Sequence, residues 1–431
     1  MKIDIMQEVL ENEKYMLNLQ EYFHLYPEPS NFEDKTVEKI IEELKTIGIE
    51  YVNIEHGGVL AFIKGKNSNR TVLLRADIDA LEIEESNTNL IHEKKVVSQK
   101  KSACHACGHD GHIAMLLTAG KILYKHQDLI NGNIILMFER GEEGTGNYSY
   151  LYKYIRDNNI HIDSSYGIHL YAGLESGKVA INTGNVMSGA ITINFTIQGE
   201  GGHGSRPDEA INPIDCFVAI YNGMATLRTR KVTPFTPFTD VIGKVHSGTA
   251  GNIIPNTLEF SGGARVFEMG EALKYKKAFH NMVENTAKAY NCQILSSATL
   301  GPMFPVKNDP QCAEMAKNKI GEIIGKDRIV EVDPWMASDC MGYHLALWPG
   351  VFSLVGISNP QKGTGAPHHN SKFELDQDVL KYGAASSIAY ALFFLESDID
   401  TSKSPYIWKD TMLEMFKVTE RKKSWIEVLD S

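Results

Sequence analysis

One short segment holds the densest chemistry in the chain: Cys104-His105-Ala106-Cys107-Gly108-His109-Asp110-Gly111-His112. Cys-x-His sets a soft and a borderline donor on one turn, which suits Zn²⁺, Co²⁺ or Ni²⁺. A zinc ribbon needs a second Cys pair, and the sequence has none at that spacing. A Cys104-x-x-Cys107 dithiol at a helix start is a second reading, and buried structural cysteines beside surface histidines a third. Gly141-Glu142-Glu143-Gly144 follows an apolar run. Adjacent side chains of a regular strand face opposite ways, but flanking glycines permit a bend that turns both acids into one cleft. One carboxylate can then bind a metal while the other moves a proton. The competing reading is a solvated acidic turn. Gly167-Ile168-His169-Leu170 puts a histidine in an apolar strand, where a satisfied core histidine is the alternative. Pro367-His368-His369-Asn370 lies in a Gly/Pro-rich loop. Arg75-Ala76-Asp77-Ile78-Asp79 ends another apolar run, where Asp can orient a ligand histidine or cap a turn.

The elements that must position these groups are legible as periodicities. Ser30-Asn31-Phe32-Glu33 reads as a capping box, followed by Ile40, Ile41, Leu44 and Ile47 at helical spacing and a stop at Gly48. Gly58–Ile63, Thr71–Leu74 and Asn133–Phe138 are continuous apolar runs, as expected of strands covered on both faces. Asp110–Lys125 carries Ile113, Leu116, Leu117 and Leu123 on one helical face. Residues 190–198 instead alternate strictly, and 258–266 follow suit, which predicts an antiparallel sheet with one wet face. Helices near 210–228 and 271–290 would cover its dry side. After Pro302 the layered pattern returns, with a helix over 311–325, a strand Val351–Val355 and a final helix Asp376–Leu395. The fold class expected is α/β: a layered domain with a central mixed sheet flanked by helices (1–186 and 300–431), interrupted by a smaller α+β domain with an antiparallel sheet (187–299). The charged tail from Ser402 receives no role.

Length and composition bound the function. At 431 residues the chain suits two or three domains. Hydrophobic residues make up 43% and charged residues 23%, which excludes wholesale disorder. A net charge of −11 disfavours nucleic acid as the main ligand. Asp4, Glu8, Glu11 and Glu13 interrupt any apolar leader, and no run is long enough to span a membrane. Six cysteines without a secretion signal predict a cytoplasmic protein whose thiols are free or bind metal.

Taken in order, ArgAlaAspIleAspAla (75–80), HisAlaCysGlyHisAspGlyHis (105–112), GluGluGly (142–144), GlyIleHisLeu (167–170), GlyGlyHisGlySerArgPro (201–207), GlyAsnIleIlePro (251–255) and HisAsn (369–370) form a recognisable series. It resembles the bacterial and plant N-acyl-amino-acid amidohydrolases: hippurate hydrolase, aminoacylase and the indole-acetyl-amino-acid hydrolases. The likeness spans about residues 10–396. It implies that Cys107, His109, Glu143, His169 and His369 hold up to two divalent ions (Zn, Mn, Co or Ni), with Cys107 bridging. It implies a metal-activated water with Glu142 as general base, Asp79 as the acid orienting a ligand, and His203 as the oxyanion-stabilising histidine. That histidine would be supplied across a homodimer formed through the inserted domain, which also serves as a lid. Asn252 and Arg265 would hold the carboxylate end of a small N-acyl amino acid. The same superfamily offers a dipeptidase or carboxypeptidase as an alternative. A thiol-redox or binding protein using Cys104 and Cys107 is the alternative from another class. The chain departs from the family pattern at Glu82, usually proline, at Glu139-Arg140-Gly141, usually Gln-Pro-Ala, and at Ser338-Asp339-Cys340, usually Glu-Asp-Phe.

Overall fold

In the computed structural model, residues 3–144 and 146–408 are described, apart from the side chains of 68 and 298–302. The charged tail from Ser402 therefore falls mostly outside the described residues. The chain divides into two compact units. The first comprises the chain up to Val186 with Lys307–Asp333 and His344–Ile407; the second comprises Met187–Val306 and Pro334–Tyr343.

The first unit is built on an eight-stranded mixed sheet. Its order is Glu50–Ile54, Gly58–Lys64, Asn131–Glu139, Lys66–Asp77, Ser164–Glu175, Val351–Ser358, Val179–Ala180, Ile329–Val330. The four strands from Asn131–Glu139 to Val351–Ser358 run parallel, and Glu50–Ile54 and Gly58–Lys64 form an antiparallel edge. Val72, Leu74, Ala76, Ile134, Leu136 and Phe138 join one core with the helices Glu13–Leu25, Asp34–Ile47, His109–Lys125, Pro310–Ile324 and Leu380–Leu395. Leu60, Leu73, Ile135 and Met137 alternate with them and are buried too, so the sheet is covered on both faces. The continuous apolar runs are the sequence trace of that double cover. Asp77 and Glu139 face each other at the C-terminal ends of adjacent parallel strands. Those ends are where open α/β sheets present their chemistry.

The Ser30–Glu33 capping box is not realised. The helix starts at Asp34, with Glu33 at the cap position and no side-chain cap bond. The Ser30 hydroxyl instead donates to Asp79, and the fully buried Glu33 carboxylate accepts from the Gly141 amide at 2.8 Å and Arg140 Nε at 2.8 Å. A buried carboxylate must be satisfied, whereas an exposed helix end can turn to water. The other end follows the sequence: Gly48 stops the helix in the left-handed region, φ 95°.

The second unit carries a four-stranded antiparallel sheet in the order Phe238–Ser247, Thr257–Val266, Gly189–Gln198, Gln293–Met303. Ile191, Ile193, Phe195 and Ile197 are buried against Ile220 and Met224 of the helix Pro213–Lys231 and Tyr275, Phe279 and Val283 of Met269–Ala289. The intervening Thr192, Asn194, Thr196 and Gln198 stay at least partly exposed. The strict alternation in the sequence is this single-faced burial.

Candidate metal centre

The first unit brings Cys107, His109, Glu143, His169, His369 and Glu142 together. Donor atoms of Cys107, His109 and His169 lie within 4.8 Å of one another. The same holds for Cys107, Glu143 and His369, and for His109, Glu142 and Glu143. Four segments deliver them: the turn into the helix His109–Lys125, the Gly141–Gly144 turn after the strand Asn131–Glu139, the strand Ser164–Glu175, and the loop before Leu380–Leu395. Gly108 (φ 89°) and Gly141 (φ 72°) supply left-handed backbone at the first two. His369 itself has φ 60°, a conformation uncommon for a residue with a Cβ. Its amide donates to the Ala106 carbonyl at 2.9 Å, which ties the loop to the cysteine turn.

Asp79 organises two segments at once. Its carbonyl and Oδ1 accept from His109 Nδ1 at 2.9 and 3.2 Å, and its Oδ2 accepts from the Glu143 amide at 2.9 Å. Burial raises its pKa, but the bond and charge of His109 prevail and hold it below the ordinary carboxylate range.

The hydrogen bonds sort the histidines by tautomer. His109 donates from Nδ1 to Asp79, so its Nε2 carries a lone pair; that atom is buried and has no hydrogen-bond partner among the described residues. His169 donates from Nδ1 to the Leu170 carbonyl at 2.7 Å, so its Nε2 lone pair faces Cys107 Sγ at 3.5 Å. His112 differs. Its Nδ1 donates to Asp77 at 2.5 Å and its Nε2 accepts from the Leu170 amide at 2.9 Å, leaving no lone pair for a ligand. Asp77 and His112 therefore brace the site, although both sit in a cluster of ligand-type residues. Asp77 is held in turn by Arg75 Nη1 at 2.8 Å, and Arg75 Nε donates to Glu139 at 2.7 Å.

This donor set fits a divalent cation. An orphaned imidazole nitrogen, a buried thiol and two carboxylates share one small space. Burial, and then the neighbouring Glu143 charge, push the Cys107 thiol well above its ordinary range. A positive ion among these groups would remove that conflict. Burial also pushes Cys104 up to about 12, the opposite of the depressed pKa that makes a dithiol reactive.

A second network bolts the metal-side helix in place. His24 bridges Asp110 (2.8 Å) and Glu85 (2.9 Å), Gln20 donates to Asp110 (2.7 Å), and Lys94 joins Glu85 (2.7 Å) to the Phe373 carbonyl (2.6 Å). Burial alone would lower the His24 pKa, but the two carboxylates raise it from 6.5 to about 10. The folded value exceeds the unfolded one, so this contribution is complete below 6.5 and fades as pH rises through 10. The stability gap between the wild type and His24→Gln is thus expected to be wide at pH 6.5 and narrower at pH 10 in urea unfolding. A gap that is constant or grows with pH contradicts this.

His203, Asn252 and Arg265 lie in the second unit. His203 pairs with Ile253 in a short ladder, and Gly204 donates to the Asn252 carbonyl at 2.9 Å, so the two loops are neighbours. His203 Nδ1 accepts from the Ser205 amide at 3.1 Å, which places the ring proton on an exposed Nε2. Arg265 is half-buried on the strand Thr257–Val266, between the buried Ala264 and Val266. The sequence motifs do not assign Ser30 or Glu33 to the site, and they leave Asp77 and His112 among the possible orienters and ligands. Ser30 and Glu33 carry only the signature of a cap, immediately before the helix Asp34–Ile47.

The model of peptidase family M20/M25/M40 matches residues 73–391. The chain is 33% identical to thermostable carboxypeptidase 1 of Saccharolobus solfataricus, over 90% of this chain and 97% of that protein. It is 31% identical to an IAA-amino acid hydrolase of Arabidopsis thaliana, over 89% and 85%. A crystal structure of a putative aminohydrolase from methicillin-resistant Staphylococcus aureus superposes with a TM-score of 0.82 at 24% identity, covering 92% of this chain and all of that one, and so shares the fold. The chain belongs to peptidase family M20/M25/M40 and is a metal-dependent hydrolase of amide bonds.

Proposed function

We propose that the chain hydrolyses the amide bond of N-acyl amino acids, with Cys107, His109, Glu143, His169 and His369 holding up to two divalent ions and Glu142 as general base. The observation that carries this reading is that these six side chains form three overlapping clusters of ligand-type atoms, joined through Cys107, His109 and Glu143. Bound ions supply Lewis acidity and a water whose pKa falls toward about 7. Glu142, half-buried beside Glu143 and His109, takes a proton from the attacking water and returns it to the leaving nitrogen. His203, whose Nδ1 is occupied by Ser205, offers Nε2–H to the developing oxyanion. Losing such a donor typically costs about 10²–10³ in rate. Arg265 and Asn252 are the groups proposed to take the substrate carboxylate.

The partner we propose is a second copy of the chain, bringing His203 to the neighbouring site. On the helix Pro213–Lys231, Ile214, Val218 and Tyr221 recur on one exposed face. The edge strand Phe238–Ser247 exposes Val241 and Val245 and pairs on one side with Thr257–Val266. An open edge beside an apolar stripe favours association. Val218→Glu combined with Tyr221→Glu is expected to convert a dimer to monomers in light scattering and to cut turnover about 100-fold or more, the loss expected of a missing oxyanion donor. Fully active monomers would refute the shared site. The buried cysteines, without assigned disulfides, suit a reducing compartment such as the cytoplasm.

The test of substrate is a hydrolysis panel of N-acetyl, N-benzoyl and longer-acyl amino acids and free dipeptides, with metal content measured on the same sample. N-acyl amino acids are expected to give the highest kcat/KM. The likeness to a carboxypeptidase supports a second reading, which faster cleavage of free peptides would establish.

A further inference from the structure

We infer that His368 is a positioning residue that donates a hydrogen bond to the Cys107 sulfur and stabilises its negative charge; this rests on the reading of Cys107 as a metal ligand. Two histidines flank that sulfur, and their second ring nitrogens are fixed in opposite senses. His169 presents a lone pair, because its Nδ1 donates to a carbonyl. His368 Nε2 accepts a hydrogen bond from the Ala172 amide at 3.1 Å. An amide N–H only donates, so that ring nitrogen carries the lone pair and the ring proton resides on Nδ1. Nδ1 lies 3.6 Å from Cys107 Sγ, within reach of an N–H···S bond. In this tautomer His368 has no lone pair to give a metal; its neighbour His369 turns its Nε2 instead to Glu143 Oε1, at 3.1 Å.

The ring is held for this task. It packs beside Phe373 (5.1 Å between centroids) and His169 (5.3 Å), and parallel to Tyr171 (6.2 Å, 9°). The Ala172 amide belongs to the strand Ser164–Glu175 that also carries His169. One strand thus sets both tautomers: its Leu170 carbonyl makes His169 a ligand, and its Ala172 amide makes His368 a donor. Outer partners of this kind typically change metal affinity about 10–100-fold when removed.

Cobalt-loaded protein supplies the test, because a thiolate–Co²⁺ charge-transfer band reports on the sulfur directly. His368→Leu removes the donor and keeps apolar bulk. His368→Asn keeps an N–H close to the position of Nδ1. The expected result is cobalt binding about 10–100-fold weaker, with a shifted charge-transfer band, in His368→Leu, and values near wild type in His368→Asn. Thermal unfolding of the metal-free variants identifies any loss of fold, in which case the Asn variant alone decides. Unchanged affinity and band in His368→Leu would overturn the inference. So would equal loss in both variants, which would make the contribution one of packing. A wild-type protein that binds cobalt without any thiolate band would instead overturn the assignment of Cys107 as a ligand.

Discussion

Replacing Glu142 by Ala is expected to remove nearly all turnover while the protein keeps its metal. The two neighbouring acids are supported differently. The Glu143 amide is pinned by Asp79, and its carboxylate lies against His109 Nε2 (3.8 Å) and His369 Nε2 (3.1 Å), the position proposed for a ligand. Glu142 joins the cluster through His109 and Glu143, and not with Cys107 or His169. Truncating it leaves the thiol and three imidazoles in place, so affinity for the ion should change little. Proton transfer by a positioned carboxylate contributes about 10²–10⁴ in rate. A fall in kcat of about 10³-fold or more, with wild-type metal content, is the expected outcome. An active variant, or one that loses its metal, would mean that the roles of 142 and 143 are misassigned.

The second large effect is expected from chelation. Removing the ions should take activity to background, and adding back Mn²⁺, Zn²⁺, Co²⁺ or Ni²⁺ should restore it. Recovery is expected because the proposed ligands are pre-set by bonds that need no metal: His109 to Asp79, His169 to the Leu170 carbonyl, and the His369 amide to Ala106. The core of the first unit lies among the sheet and its helices, so the metal-free protein should stay folded. Its unfolding midpoint should still drop, since a ligand at 100 times its Kd adds about 2.7 kcal/mol to stability. Irreversible unfolding on chelation would assign the ions a structural role, and undiminished activity would remove them from the reaction.

How far the site was legible in the sequence depends on the range of the interaction. Cys107 and His109 share one turn, and Glu142 and Glu143 lie side by side between glycines, so type and spacing carried the chemistry. His169 stood out only as a histidine inside an apolar run, and its order among the other motifs made it informative. The fold was readable where burial has a period: continuous runs for the doubly covered sheet, strict alternation for the sheet of the second unit. What local pattern could not supply is which distant groups satisfy one another. Ser30 and Glu33 satisfy cap statistics, yet their partners are Asp79, Arg140 and Gly141. Glu139, which departs from the family's usual glutamine, is matched by Arg75 and by His344 at 2.9 Å, a residue 205 positions away. The distinction between His368 and His369 likewise rests on one amide, that of Ala172.

The claim on which the rest depends is that a divalent ion sits against the Cys107 sulfur among imidazole and carboxylate donors. X-ray absorption at the metal edge of the zinc-loaded protein tests it most directly. The account predicts a sulfur scatterer at about 2.3 Å together with a nitrogen and oxygen shell, with the sulfur lost in Cys107→Ser. A wild-type spectrum with nitrogen and oxygen alone, or a sulfur signal that survives in Cys107→Ser, would contradict it.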